Sequence, residues 1–183
     1  ASLALVPGLT VQAAREMLEA LEPDGILVLA RTIHVPPNDF VRTLRTVWAA
    51  LEAQRPQDHT LLLRSWDSYV LLASPRPFAG AEVERARSFA GRLNFDLVHY
   101  PGIRESETNR HNIMESPLFF EAVQSEIRGL EDRLYDTNPR SDDRPYPYAF
   151  LRPGKLGVLA RVMNERVFAL LIAGEALVVI VFA

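Results

Sequence analysis

The turn Pro23-Asp24-Gly25 runs directly into Ile26-Leu27-Val28-Leu29-Ala30, and this junction constrains the fold more than any other stretch. An unbroken apolar run of that length, bounded by turn residues, fits a strand buried on both faces inside a sheet covered by helices. Upstream, residues 11–21 place Ala14, Met17, Leu18 and Leu21 at helical spacing. Downstream, residues 31–37 form a loop whose two prolines end the strand. Asn38 or Asp39 then suits the N-cap of a helix reaching residue 53, with Phe40, Leu44, Val47, Trp48 and Leu51 on its apolar face.

Residues 60–64 and 69–74 are two short apolar runs separated by Ser65-Trp66-Asp67-Ser68, which predicts an antiparallel hairpin. A further amphipathic helix follows over 82–93, then a short strand over 95–100 closed by Pro101-Gly102. Residues 105–116 read as a polar loop. Pro117 suits the first turn of a helix to about residue 134, with Phe119, Phe120, Val123, Ile127 and Leu130 inward. The alternation of helices and strands predicts an α/β fold.

A net charge of -3 gives no basic footprint for nucleic acid, and the absence of cysteine excludes disulfides, a thiolate nucleophile and Cys-ligated zinc. The chain begins Ala1-Ser2-Leu3, without a basic leader, and ends on a run over 167–183 that is apolar except for Glu175. That run reaches the short end of a bilayer span, and Arg161 and Arg166 precede it as a basic anchor. A core helix or strand pair is the alternative, since Val178-Val179-Ile180-Val181-Phe182 is strand-prone. The expectation is a fragment of a longer membrane protein: an α/β part over 1–136, a Pro/Tyr-rich connection over 137–157 and the start of a transmembrane segment over 158–183.

The phrases LEPDGILVLAR, PPNDFVRTL, LLRSWDSYVLLASPRPF, FDLVHYPGI, ETNRHN and SDDRPYPYAFLR, in this order, resemble the membrane-anchored, spermidine synthase-like proteins of bacteria. The resemblance covers nearly all of the chain. It implies the carboxyl half of a class I S-adenosylmethionine-dependent methyltransferase-like (Rossmann-like) sheet, ending in an antiparallel hairpin and joined to membrane helices. It also implies a parent in the bacterial inner membrane that transfers a methyl or aminopropyl group from S-adenosylmethionine or its decarboxylated form to a small-molecule acceptor. Arg161 and Arg166 on the near side of the apolar run point to a cytoplasmic start, and so to a cytoplasmic globular part. The pattern departs from the family in two respects: no glycine-rich turn follows a strand, the nine glycines being scattered, and the acidic segment typical of aminopropyl transfer is absent. The cofactor half is therefore missing, and these residues alone are not expected to bind S-adenosylmethionine. The alternative is a non-catalytic cytoplasmic module of a membrane protein that keeps the fold without activity.

Ligands of open α/β sheets sit beyond the carboxyl ends of the strands, which points to Arg31, Thr32 and His34 after the first strand and to Trp66 and Asp67 in the hairpin turn. An Arg–His pair there suits a carboxylate or a proton transfer, or else an ion pair beside a solvated histidine. Glu107, Asn109 and Arg110, with Glu105, His111 and Asn112, either line a pocket for a polar substrate or hold a loop through their own bonds. The four histidines show no metal-binding spacing, and no metal is expected. Asp142 and Asp143 resemble a catalytic pair, but neighbours in an extended segment diverge, and Arg144 beside them favours ion pairing. With Tyr146 and the prolines, they read as a stiff structural connection.

Overall fold

The computed structural model describes residues 10–130 and 135–143. Helix α1 (Val11–Glu19) leads to strand β1 (Leu27–Thr32), helix α2 (Asn38–Leu51), a 3-10 turn (Pro56–His59), β2 (Thr60–Arg64) and β3 (Ser68–Ala73). Helix α3 (Gly80–Leu93), β4 (Asp96–His99), a second 3-10 turn (Glu105–Glu107) and α4 (Leu118–Ile127) complete the order. The architecture is α/β. The four strands form one sheet in the order β1-β3-β2-β4, and every neighbouring pair is antiparallel. β1 and β2 thus run the same way, joined through α2, with β3 inserted between them.

The turn before β1 depends on its glycine. The Gly25 N–H donates to the Glu22 carbonyl at 2.7 Å, and a Cβ at Gly25 would meet Leu21 Cβ at 2.8 Å. One face of the sheet then carries the main core, where Leu27, Leu62, Leu71 and Val98 meet α1, α2 and α4. Phe40 is its centre, edge-on to both Tyr69 and Phe119 at 5.1 Å. The opposite face has a smaller cluster in which α3, through Val83, packs on Leu61, Phe78 and Tyr100.

Three expectations are corrected. β1 is not buried on both faces: Leu27 is 9% exposed but Val28 is 56% exposed. Among the described residues helices cover only one side of β1, and its side chains alternate between core and solvent. Neither Asn38 nor Asp39 caps α2; Pro37 stands at the cap, and the Asp39 carboxylate is taken by Arg31. α4 ends at Ile127, with Gly129 at φ +68° just beyond, and Ile127 and Leu130 are exposed, not inward.

Thr137 is fully buried, and the Val11 N–H donates to the Arg140 carbonyl at 2.8 Å. Residues 137–143 therefore lie along the start of α1, within the same compact unit as residues 10–130. Arg144, Tyr146 and the proposed membrane segment over 158–183 lie outside the described residues. Among the described residues no helix is long and apolar enough to cross a membrane.

Candidate functional site

The carboxyl ends of β1 and β2 come together at one end of the sheet. Thr32 pairs with Ser68, and the Ile33 N–H donates to the Asp67 carbonyl at 2.7 Å, which ties the loop after β1 to the hairpin turn. Arg31, His34, Trp66 and Asp67 are thereby gathered at this end, as their positions in the sequence predict. Their states differ. Arg31 forms a two-point ion pair with Asp39, Nε to Oδ2 at 3.1 Å and Nη2 to Oδ1 at 3.2 Å, which fastens the end of β1 to the first turn of α2. His34 is exposed, as is Trp66 at 71%. The Ser65 hydroxyl donates to Asp67 Oδ1 at 3.1 Å and is also bonded to the Ser68 hydroxyl at 2.8 Å, which sets the turn. An exposed indole adjoining an exposed carboxylate suits a cationic group, which gains from the ring face and from the charge together.

The polar loop falls into two groupings. Asn109, at φ +52°, accepts from Arg64 Nη2 at 2.9 Å and from the Met114 N–H at 2.7 Å, and returns a bond to the Met114 carbonyl at 2.8 Å. Its amide closes the loop on itself, and its left-handed backbone is one that Asn tolerates better than most residues. Arg110 contributes its backbone: its N–H donates to Asp96 Oδ1 at 2.6 Å, followed by His111 and Asn112 N–H groups to the same carboxylate at 2.8 Å each. Arg64 completes the arrangement at 3.1 Å from Asp96, both side chains almost fully buried. Burial pushes the Asp96 carboxyl up, but the three N–H donors and Arg64 outweigh it and hold the group below its ordinary range. Burial also lowers the Arg64 guanidinium, with Asp96 opposing.

Glu107 belongs elsewhere, on the side of β4 that faces α3. Its carboxylate accepts the Arg104 N–H at 3.0 Å and meets Arg87 Nη2 at 2.9 Å and the Tyr100 hydroxyl. The Arg104 amide, then the Tyr100 hydroxyl, lower the Glu107 carboxyl, while burial and this anionic neighbour push Tyr100 up to about 12. The loop candidates are therefore anchoring groups in large part, with the Arg110 side chain exposed above them.

Sequence reasoning missed Arg64 and Asp96. The available signal was a lone Asp opening the apolar strand Phe95-Asp96-Leu97-Val98 and a lone Arg closing Leu61-Leu62-Leu63-Arg64. A charge at the end of a buried strand needs a partner, and these two stand opposite one another in the β2–β4 register. Asp142 and Asp143 sit exposed on a turn, where the Asp142 N–H donates to Gln12 Oε1 at 3.3 Å. His59 and His99 bond to the backbone carbonyls of Ser74 and Gln57 at 3.1 and 2.9 Å. Among the described residues no three metal-binding side chains come together. Compared with family models, curated proteins and solved structures, the chain matches none of them.

Proposed function

We propose that this chain is the carboxyl half of a class I methyltransferase-like domain of the membrane spermidine synthase-like type, and that it supplies the acceptor side of a transferase site. One observation carries the reading. β2 and β3 form an antiparallel hairpin like the one the resemblance implies, β3 lies between β2 and β1, and among the described residues no strand covers the outer edge of β1. The donor, S-adenosylmethionine or its decarboxylated form, is held by the half that precedes β1 in this reading. Trp66 and Asp67 receive a cationic acceptor at the strand ends in this reading, and exposed His34 takes its proton. Arg31 holds the rim through Asp39.

The test is calorimetric titration of both donor forms into the full-length polypeptide that contains these residues. Saturable heat is expected, with transfer to a small amine acceptor reduced by Trp66→Ala and Asp67→Ala while donor binding is retained. No heat with either donor would sink the reading. A scaffold without chemistry is favoured by a different observation, that Arg31, Arg64, Asp96 and Asn109 are all engaged in structural bonds. Donor binding without any transfer would select it. The same reading places the globular part on the cytoplasmic side of a bacterial inner membrane. Cysteines introduced at Ser2 and Ala183, labelled from either side of sealed vesicles, test that placement.

A further inference from the structure

The two faces of the sheet are covered unequally. A helix with its side chains is about 10 Å across and strands lie about 4.8 Å apart, so one helix covers about two strands. Among the described residues α1, α2 and α4 pack on one face, whereas α3 packs on the other against Leu61 of β2 and Leu97 of β4, with Leu72 of β3 partly buried beside them. Over β3 and β1 that second face carries Val70 and Leu72, half-buried, and Val28, 56% exposed. A groove of about 720 Å³ runs here between α3 and the strands, with Leu63, Val70, Leu72 and Phe89 along it.

α3 turns a second apolar stripe toward this groove. Ala86 and Phe89 line it, and Leu93, exposed on the same helix, extends their spacing to i, i+3 and i+7, the spacing by which one helix packs along another. Phe89 is 45% and Leu93 51% exposed, and Phe89 stacks on Phe95 at 5.9 Å, which holds its ring in place. Arg85 and Arg92, also seven apart, line the same groove. Arg85 reaches Glu82 only at 4.0 Å, while the Glu82 carboxylate is already held by Arg76 at 2.9 Å. The groove therefore has an apolar floor, an apolar helical wall and a cationic lip.

We infer that this groove seats an amphipathic α-helix of a partner protein, with acidic residues along one flank of that helix. Its apolar stripe covers Val70, Leu72 and Val28 and packs beside Phe89 and Leu93, and its acidic flank meets Arg85 and Arg92. The helical spacing on α3 favours a helix over an extended peptide or an acyl chain. The inference stands whether or not the transferase reading holds, because it uses none of the strand-end residues.

The experiment titrates the full chain with two fluorescent stapled helices of about 18 residues, sharing a Leu/Ala stripe and differing only in a Glu or a Lys flank. Fluorescence anisotropy is expected to show the Glu-flanked helix binding on the order of tenfold tighter. The double variant Arg85→Glu/Arg92→Glu should reverse that preference, and Phe89→Asp should weaken both helices. The exposed arginines make the charge-swap variant safe for folding, which circular dichroism checks. Failure of both helices to bind, or a preference unmoved by the charge swap, overturns the inference. So does saturation of the groove by a long-chain carboxylate with neither helix binding. Sedimentation showing this face closed by a second copy of the chain would overturn it as well.

Discussion

At the β4 edge of the sheet the chain doubles back, and Asp96, Arg64 and Asn109 fasten residues 108–114 over it. At the β1 edge no described residue does the same, and Val28 and Ile26 stand exposed at 56% and 41%. The two edges come from similar material, since both strands are short and have adjacent apolar residues. What separates them is a charge. Asp96 opens β4 and gathers three backbone N–H groups, so the following loop has a reason to return, whereas β1 has no such group until Arg31, which points its bonds at α2. Proteins usually blunt a free edge with charge, proline, a bulge or cover. The β4 edge is finished in this sense, and among the described residues nothing finishes the β1 edge.

The largest test removes the fastening. Asp96→Ala removes the counter-charge of buried Arg64 and the acceptor of three partly buried N–H groups, and should cost about 3–5 kcal/mol in urea unfolding. Asp96→Asn should lose less, because the amide oxygen keeps part of the acceptor set. An Asp96→Ala protein as stable as the wild type would dissolve the contrast between the edges. Next, Asn109→Ala should cost about 2 kcal/mol, through two lost loop bonds and a left-handed backbone that Ala dislikes. Hydrogen exchange should then speed up over residues 110–114 and stay unchanged in β1.

A pH titration sharpens the comparison on the same side. Burial outweighs the Gln57 carbonyl and Asp58 and holds His99 below its ordinary value of 6.5. The folded state therefore keeps it neutral, and the unfolded chain takes up a proton first. Its stability contribution is complete above about pH 6.5 and declines as pH falls, by about 1.4 kcal/mol per unit until the folded pKa is reached. His99→Gln should flatten that slope. Glu82 acts lower down: its bonds to Arg76 and to the Ala79 N–H bring it from an ordinary 4.5 to about 2, so its support is present above 4.5 and lost as pH falls toward 2. The smallest effect belongs to the β1 edge. Val28→Lys should change stability by no more than about 0.5 kcal/mol, since it removes little packing. A loss several times larger would show that the β1 edge is covered after all.

Much of the element order was readable from local pattern. The hairpin around Trp66 and Asp67, the helix with Phe40, Leu44 and Val47 inward, and the α/β class all follow from spacing and turn residues, which act over a few positions. The gathering of Arg31, His34, Trp66 and Asp67 was readable too, because strand ends are fixed once the strands are. The burial of β1 was not. Ile26-Leu27-Val28-Leu29-Ala30 is equally apolar whether one side or two are covered, and only the neighbours of a strand decide that. The roles of Asn109 and Arg110 were hidden for a related reason, since a polar loop reads the same whether its groups face a ligand or a buried Asp96.

What the sequence determined by itself, then, is where helices, strands and turns lie and which face of each helix is apolar, for these depend on near neighbours in the chain. The tertiary structure alone decided which charges are spent in anchoring and which remain exposed. Arg64 and Asp96 lie 32 positions apart and meet only when β2 and β4 pair. Burial, and with it the cost of an unpaired charge, arises only at that contact.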